Sequence, residues 1–539
     1  MGNPAHTIVA RDDTRTYPTP LRTGLTVALI LFPLLLLANR ATLTMDFVPN
    51  HDYAADILLT QRAVHGWLLT GHYSFVGVNH PGPFFLYVRL LGQWLAGGLT
   101  GSVFGAQLVG VLACSAAFSG LFAALTQRLG EREGACSQTA ASAAVAALIL
   151  ALTNLHNDIT SIWMPDVLIL PFLTFLVAVI LMLQGSAFGL LAGTFCAAAL
   201  VHGYIPLPIV VGPVWLVAAI WGARVHRIAT GHGFPRAVWA GVTLIIMLFM
   251  LPLALDIIIN PPGNIIRILE TAKQTRLTTS PPTAYEICRL LGSNWLRGAR
   301  HGLWLAIAAG FTISLITTRY RGLVGTGLIL VALTFITSAL TFAQAPTPLR
   351  GYSALFFMAT ALLPITLGAV ITILELGRRH RPLAPLGALL LLLSFFIFCI
   401  MGTLSRKYVS AVYVRSLARA IAAENPPGSR VELENQAINP SKWRGWEKLK
   451  TGHTIPGLML ELDHFGINAC YRDPVLGYYV TPERVCPKPS SADNRAYRLV
   501  TIPMCRPDAT VSPPERVGEG MTLFIAPGLR CIYIVQLTP

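Results

Sequence analysis

Apolar stretches of bilayer-crossing length recur through the first 403 residues. Such a chain folds only as a bundle of spanning helices, because hydrocarbon offers no water to backbone N–H and C=O groups. The runs lie at about 21–38, 101–126, 139–153, 164–183, 187–203, 205–222, 237–256, 302–317, 323–343, 352–376 and 383–403, which predicts about eleven transmembrane helices and a mainly α fold. Charge content agrees: 12% of 539 residues are charged, against roughly 25% in soluble domains. Arg11, Arg15 and Arg22 flank the first run and no small-residue cleavage site follows it, so it reads as an uncleaved span. With the N-terminus in the cytoplasm, four sets of basic residues fall on the inner side: Arg128 and Arg132; Arg224, Arg227 and Arg236; Arg319 and Arg321; and Arg378, Arg379 and Arg381. They obey the positive-inside rule together. The net charge of +15 is thereby explained by membrane orientation, and nucleic acid is excluded as a partner.

An odd number of spans exports everything after residue 403 and makes segments 40–100 and 257–301 extracytoplasmic. The expected location is the plasma membrane, or the inner membrane of a Gram-negative cell. From Leu404 onward lie 17 of the 40 basic and 12 of the 25 acidic residues, so the last quarter belongs to a different physical class. Its stretches MTLFIAP and CIYIVQL, separated by PGLR, read as strand, turn, strand, whereas GLMLELDHFG has helical spacing. A small extracytoplasmic α/β domain over 404–539 is expected. Cys470, Cys486, Cys505 and Cys531 lie in it, permitting one or two disulfides in an oxidising compartment. Their spacing lacks paired CxxC and does not suit zinc. Cys114, Cys136, Cys196, Cys288 and Cys399 read as packing residues.

Outside the tail, acids are scarce and crowd one face. Asp46, Asp52, Asp56, Asp158, Asp166, Asp256, Glu270 and Glu286 all map to the outer boundary, and clustered ionisable groups at that depth point to a water-filled functional cavity. The first loop is too broken by Pro, Gly and His to span and should lie along the interface. From Asp52, apolar residues Ala55, Leu58, Leu59, Val64 and Leu68 suit an amphipathic helix that places Asp52 and Asp56 on one face at i, i+4. In NHPGPFFLYV, Pro81, Gly82 and Pro83 interrupt regular structure and can set Asn79 and His80 opposite the acids.

The order of first span, acid in D-x-A, G-x-Y about twenty residues on, then NHPGPFFLY resembles the GT-C superfamily of polytopic glycosyltransferases, above all bacterial members sharing an NHPGP turn. More distantly it is similar to the protein O-mannosyltransferases and the lipid A aminoarabinose transferase, whose first loop carries an essential acid and then a basic residue before Pro-Pro. Further echoes lie at IWMPDVLILPF (162–172), LVHGYIPLP (200–208) and LPLALDIIINPPGN (251–264), which bring Asp166, His202 with Tyr204, and Asn264 to the same face. The resemblance covers roughly the first half of the chain. It implies a GT-C-like transmembrane domain over 1–403 that moves a sugar from a polyprenyl-phosphate donor to a glycan, lipid or protein acceptor at the outer face.

In an inverting mechanism of this kind a carboxylate takes the proton of the attacking acceptor hydroxyl, and cations or donors stabilise the leaving phosphate. Asp52 matches the family's acid by its D-x-A and NHPGP context. The aminoarabinose transferase pattern D-E-x-R-Y-A-E is not kept in spacing by either Asp46 or Asp52, so Asp46 stands as a rival, and Asp56 faces the same place. His80 occupies the position of the basic residue, and a nearby phosphate would favour its charged form. His202, Tyr204 and Asn264 join it as donor-binding candidates, as does Arg267, first of the basic residues in 257–301. The absence of a DxD-type pair fits a lipid donor better than a nucleotide sugar. The sequence names no cofactor and leaves metal use open, because Asp52 with Asp56 or Asp166 can gather a divalent cation. Two other classes compete: a transporter or flippase of polyprenyl-linked glycans, which should carry mid-span charges that are nearly absent here, and a non-catalytic envelope assembly protein, which leaves the NHPGP turn unexplained.

Overall fold

The structure is a computed structural model that describes residues 18–299, 318–380 and 406–437, apart from short breaks at 66–67, 75–76, 279 and 346–348, then 454–472, 480–486 and the strands between 495 and 537. It is mostly helical. The helices are α1 Pro18–Ala38, α2 Arg40–Thr44, α3 His51–His65, α4 Phe84–Ala96, α5 Val103–Arg132, α6 Ser137–Asn154, α7 Met164–Val167, α8 Ile169–Leu183, α9 Ala187–Gly203, α10 Leu207–Thr230, α11 Arg236–Ile259, α12 Asn264–Thr278, α13 Ala284–Gly298, α14 Arg321–Phe342, α15 Met358–Arg379, α16 Val412–Glu424 and α17 Ile455–His464. A 3₁₀ segment, Gly351–Phe357, leads into α15.

Among the described residues, eight helices are long and apolar enough to cross a membrane, and the protein is a multi-pass membrane protein. Of the other expected spans, 187–203 forms the shorter apolar helix α9, and 302–317 and 383–403 lie outside the described residues. Helix α5 is the hub, packing against α1, α4, α6 and α8. It starts where the Ser102 hydroxyl accepts from the Gly105 N–H at 3.1 Å, an N-cap that satisfies one orphan donor of the first turn. Peripheral α11 exposes Leu244, Met247, Leu248 and Leu251, which in hydrocarbon carries no penalty. Helix α4 lies so close to α5 that a Cβ on Gly92 or Gly110 would run into the other helix's backbone. This close crossing seats α4, and with it Arg89, inside the protein.

Downstream, six strands form one sheet in the order β2-β1-β3-β6-β5-β4, with β1 Arg430–Ala437, β2 Asn468–Tyr471, β3 Arg495–Ile502, β4 Glu515–Arg516, β5 Met521–Ala526 and β6 Arg530–Leu537. β1 runs parallel to β2 and β3, with α17 supplying the crossover from β1 to β2, as parallel pairing demands. The alternating stretches expected as a strand pair form antiparallel β5 and β6, in register from Ala526↔Arg530 to Met521↔Val535. GLMLELDH forms most of α17.

Cys470 on β2 is bonded to Cys486; Cys505 and the side chain of Cys531 lie outside the described residues. Non-reducing peptide mapping of protein from its native membrane is expected to recover the Cys470 and Cys486 peptides as one linked species. Recovery of both as free thiols would remove this staple and, with it, the case for an oxidising compartment.

The chain after residue 406 returns to the loops at one end of the bundle. Ala411 N–H donates to the Val48 carbonyl at 3.0 Å, and the Ser410 hydroxyl accepts from Val48 N–H at 2.9 Å. The Tyr408 hydroxyl donates to the Thr160 carbonyl and accepts from Ile162 N–H, both at 2.9 Å. First loop, 155–166 loop and tail thus meet in one place.

Candidate active site

Helix α3 opens at His51, whose φ of 52° lies in the left-handed region, uncommon for a residue with a side chain. Asp52 follows in the first helical turn, where the helix dipole favours an acid. Its Oδ2 accepts from the indole N–H of Trp163 at 3.0 Å. Burial raises the Asp52 carboxyl above the usual range against that hydrogen bond; the charge of Asp56 adds to the rise, and Arg89 and Arg350 oppose it. A carboxylate whose affinity for a proton is raised in this way suits general-base work.

Asp56, one turn on, is spent differently. Its Oδ2 meets the Arg89 guanidinium at 2.7 Å and its Oδ1 meets His72 Nδ1 at 2.8 Å, all three side chains being buried. Burial opposes the charge of Asp56, but Arg89 and then His72 outweigh it and hold the carboxyl below its ordinary value. Arg89 also donates through Nη2 to the Ile162 carbonyl. The i, i+4 acids share a face of α3 as expected, yet the second is an internal counterion.

The other two acids are also paired. Asp46, with 68% of its side chain exposed, binds Arg415 of α16, and that guanidinium simultaneously donates to buried Glu461 of α17 at 2.6 Å. Asp46 therefore anchors the tail to the first loop, and Arg415 holds its carboxyl below the usual range. Asp166 is buried and paired with Arg406, which also donates to the Ser161 hydroxyl.

The NHPGP turn is built into the protein from two sides. Asn79 donates to the Gly71 carbonyl at 2.9 Å and the Thr70 hydroxyl at 3.3 Å. Asn264 donates to the carbonyls of Asn79 and His80 at 3.0 and 3.1 Å, while its own N–H donates to Asp256. Asn79 and Asn264 thus clamp the first loop to the start of α12. Gly82 N–H donates to the His202 carbonyl at 3.1 Å, and a Cβ on Gly82 would enter the His202 ring, so only glycine allows that approach. The same ring is held through Nε2 by the Phe249 carbonyl at 2.7 Å. His80 packs beside Tyr204, ring centroids 5.0 Å apart, and its Nδ1 accepts from Ile205 N–H at 3.3 Å. Burial pushes the His80 pKa down to about 3. Burial therefore favours the neutral ring, and with Nδ1 accepting the proton sits on Nε2; the charged form is expected where a phosphate stands beside it.

Arg267 is exposed on the first turn of α12, following the Asn264 clamp. A cation nearer to Asp52, not singled out in the sequence, is Arg350. It donates to the Tyr352 hydroxyl at 2.8 Å, and the Tyr352 ring stands edge-on to Trp163 at 5.4 Å. Asp52, Trp163, Tyr352 and Arg350 thus form one cluster at one end of the bundle. Asp56 and Asp166 are each paired with a guanidinium, of Arg89 and Arg406 respectively. Among the described residues, the one trio with metal-ligand atoms in mutual reach is Glu432, Cys470 and Cys486, whose sulfurs are joined to each other and so offer no thiolate.

No family model and no curated protein matches the chain. Among solved structures it is similar to the crystal structure of ArnT from Cupriavidus metallidurans in the apo state, with 14% identity over 95% of this chain and 96% of that one and a TM-score of 0.48. It is also similar to the Archaeoglobus fulgidus oligosaccharyltransferase in complex with Zn and sulfate, with 12% identity, 89% and 67% coverage and a TM-score of 0.45. A third is the A. fulgidus oligosaccharyltransferase AglB in complex with an inhibitory peptide and a dolichol-phosphate, with 13% identity, 88% and 69% coverage and a TM-score of 0.35.

Proposed function

We propose that the protein is a membrane glycosyltransferase that moves a sugar from a polyprenyl-phosphate donor to a glycan, lipid or protein acceptor, with the first loop and the 404–539 segment on the extracytoplasmic side. Asp52 carries this proposal: it is the first-loop acid held by a neutral donor, Trp163, while Asp46 and Asp56 are held by guanidinium groups. An acceptor hydroxyl attacks the anomeric carbon, its proton passes to Asp52 Oδ1, and the bond from that carbon to the phosphate oxygen breaks with its electron pair leaving on the lipid phosphate. Configuration inverts in this single displacement. Arg350, in the same cluster as Asp52, supplies the cation for the departing charge. His80 contributes a neutral Nε2–H, and Arg267 at the start of α12 faces the lipid headgroups with the other bases of 257–301.

Purified protein in nanodiscs is expected to bind polyprenyl phosphate and to transfer labelled sugar from a polyprenyl-phosphate donor. Arg350→Ala should weaken binding roughly tenfold or more, the cost of about 1.5–3 kcal/mol for a hydrogen bond to a charged group. His80→Gln, which keeps a neutral N–H, should retain more function than His80→Lys, whose ammonium would be buried where the ring is now neutral. Unchanged lipid affinity in both Arg350→Ala and His80→Ala would remove the donor-phosphate assignment.

A further inference from the structure

We propose that Arg89 and Trp163 are positioning residues for Asp52, two sides of a closed frame that fixes the direction of its carboxylate. The proposal rests on the reading of Asp52 as the base. The frame has four links. Asp52 and Asp56 are successive rungs of α3. Asp56 Oδ2 meets Arg89 Nη1 at 2.7 Å. Arg89 Nη2 bonds the Ile162 carbonyl. Trp163, the next residue, closes the circuit on Asp52 Oδ2 at 3.0 Å.

Two neighbouring residues of one loop therefore hold two neighbouring turns of one helix. The loop cannot swing independently, because the Tyr408 hydroxyl pins it at Thr160 and Ile162. A planar guanidinium suits position 89, since it spans two partners at once, with Nη1 in charge contact with Asp56 and Nη2 donating to the Ile162 carbonyl, whereas an ammonium is a point charge on a flexible stem. A buried ion pair is a poor source of stability compared with apolar packing, but here it sets geometry. With Oδ2 fastened, Asp52 presents Oδ1 to the acceptor in one orientation, and small misplacement of a reacting group is costly in rate.

The test is a pH–rate profile on four proteins assayed with the same polyprenyl-phosphate sugar: wild type, Trp163→Phe, Arg89→Lys and the double variant. Trp163→Phe should lower kcat about 10–100-fold with little change in donor KM, as expected for loss of orientation. Its acid limb should move to higher pH, because the indole N–H that favours the charged carboxylate is gone. Arg89→Lys keeps a charge opposite Asp56 but releases Ile162, and should shift the limb the same way with a smaller loss. A frame cut twice is no looser than one cut once, so the double variant should match the worse single variant; independent sites would multiply their losses. An unmoved acid limb in Trp163→Phe, or multiplicative losses in the double variant, overturns the frame. Failure of the base assignment itself has a different signature, turnover surviving in Asp52→Asn, and is read separately.

Discussion

Asp52→Asn is expected to reduce turnover by about three orders of magnitude while leaving the protein folded, the middle of the range for removing a general base. The amide has nearly the same shape, and its carbonyl oxygen can still accept from the Trp163 indole that now binds Oδ2 at 3.0 Å. What it cannot do is take a proton. Burial already opposes the charge on this carboxyl, so neutralising it should not destabilise the fold. Asp46→Asn is the control. Its partner Arg415 is shared with Glu461, and a largely exposed ion pair contributes about 0–1 kcal/mol, so turnover should stay near wild type. Initial rates with a defined polyprenyl-phosphate sugar, on proteins matched by size-exclusion profile, decide the matter. Near-normal turnover in Asp52→Asn together with its loss in Asp46→Asn would transfer the base to Asp46.

Much of the bundle was legible because bilayer thickness imposes a length on every span, and length is read directly from a sequence. The pairing of Asp52 and Asp56 on one face was legible for a similar reason: i, i+4 spacing is a property of one helix. Their division of labour was not, because it depends on Arg89 in another helix and on His72 beyond a turn. A signal did exist in FFLYVRLLGQW. A single arginine in an apolar helix needs an acidic partner, and the nearest first-loop acids were the candidates. The surroundings of His80 were hidden more deeply, since it packs against Tyr204 and Ile205, which follow α9, far along the chain. Trp163, Arg350 and Arg406 were likewise invisible as site residues: each reaches the first loop only after the bundle has closed.

Asp56→Ala is expected to cost about 3–5 kcal/mol of stability, the range for removing one partner of a buried ion pair. Arg89 has only 1% of its surface exposed and would be left with the Ile162 carbonyl alone. His72, buried and bonded to Asp56 at 2.8 Å, would lose that contact as well. The loss should appear as a drop in apparent melting temperature in detergent, followed by size-exclusion, and as poor recovery from membranes. A second protein separates stability from catalysis. In Asp56→Leu with Arg89→Met no charge is stranded, and apolar replacement of a buried pair is commonly neutral or stabilising, so much of the thermal stability should return. Turnover should not return with it, because nothing then joins α3 to the Ile162 carbonyl and Asp52 is held by Trp163 alone. Wild-type melting of Asp56→Ala would show that Arg89 finds another counterion, and Asp56 would again be a candidate for the chemistry itself.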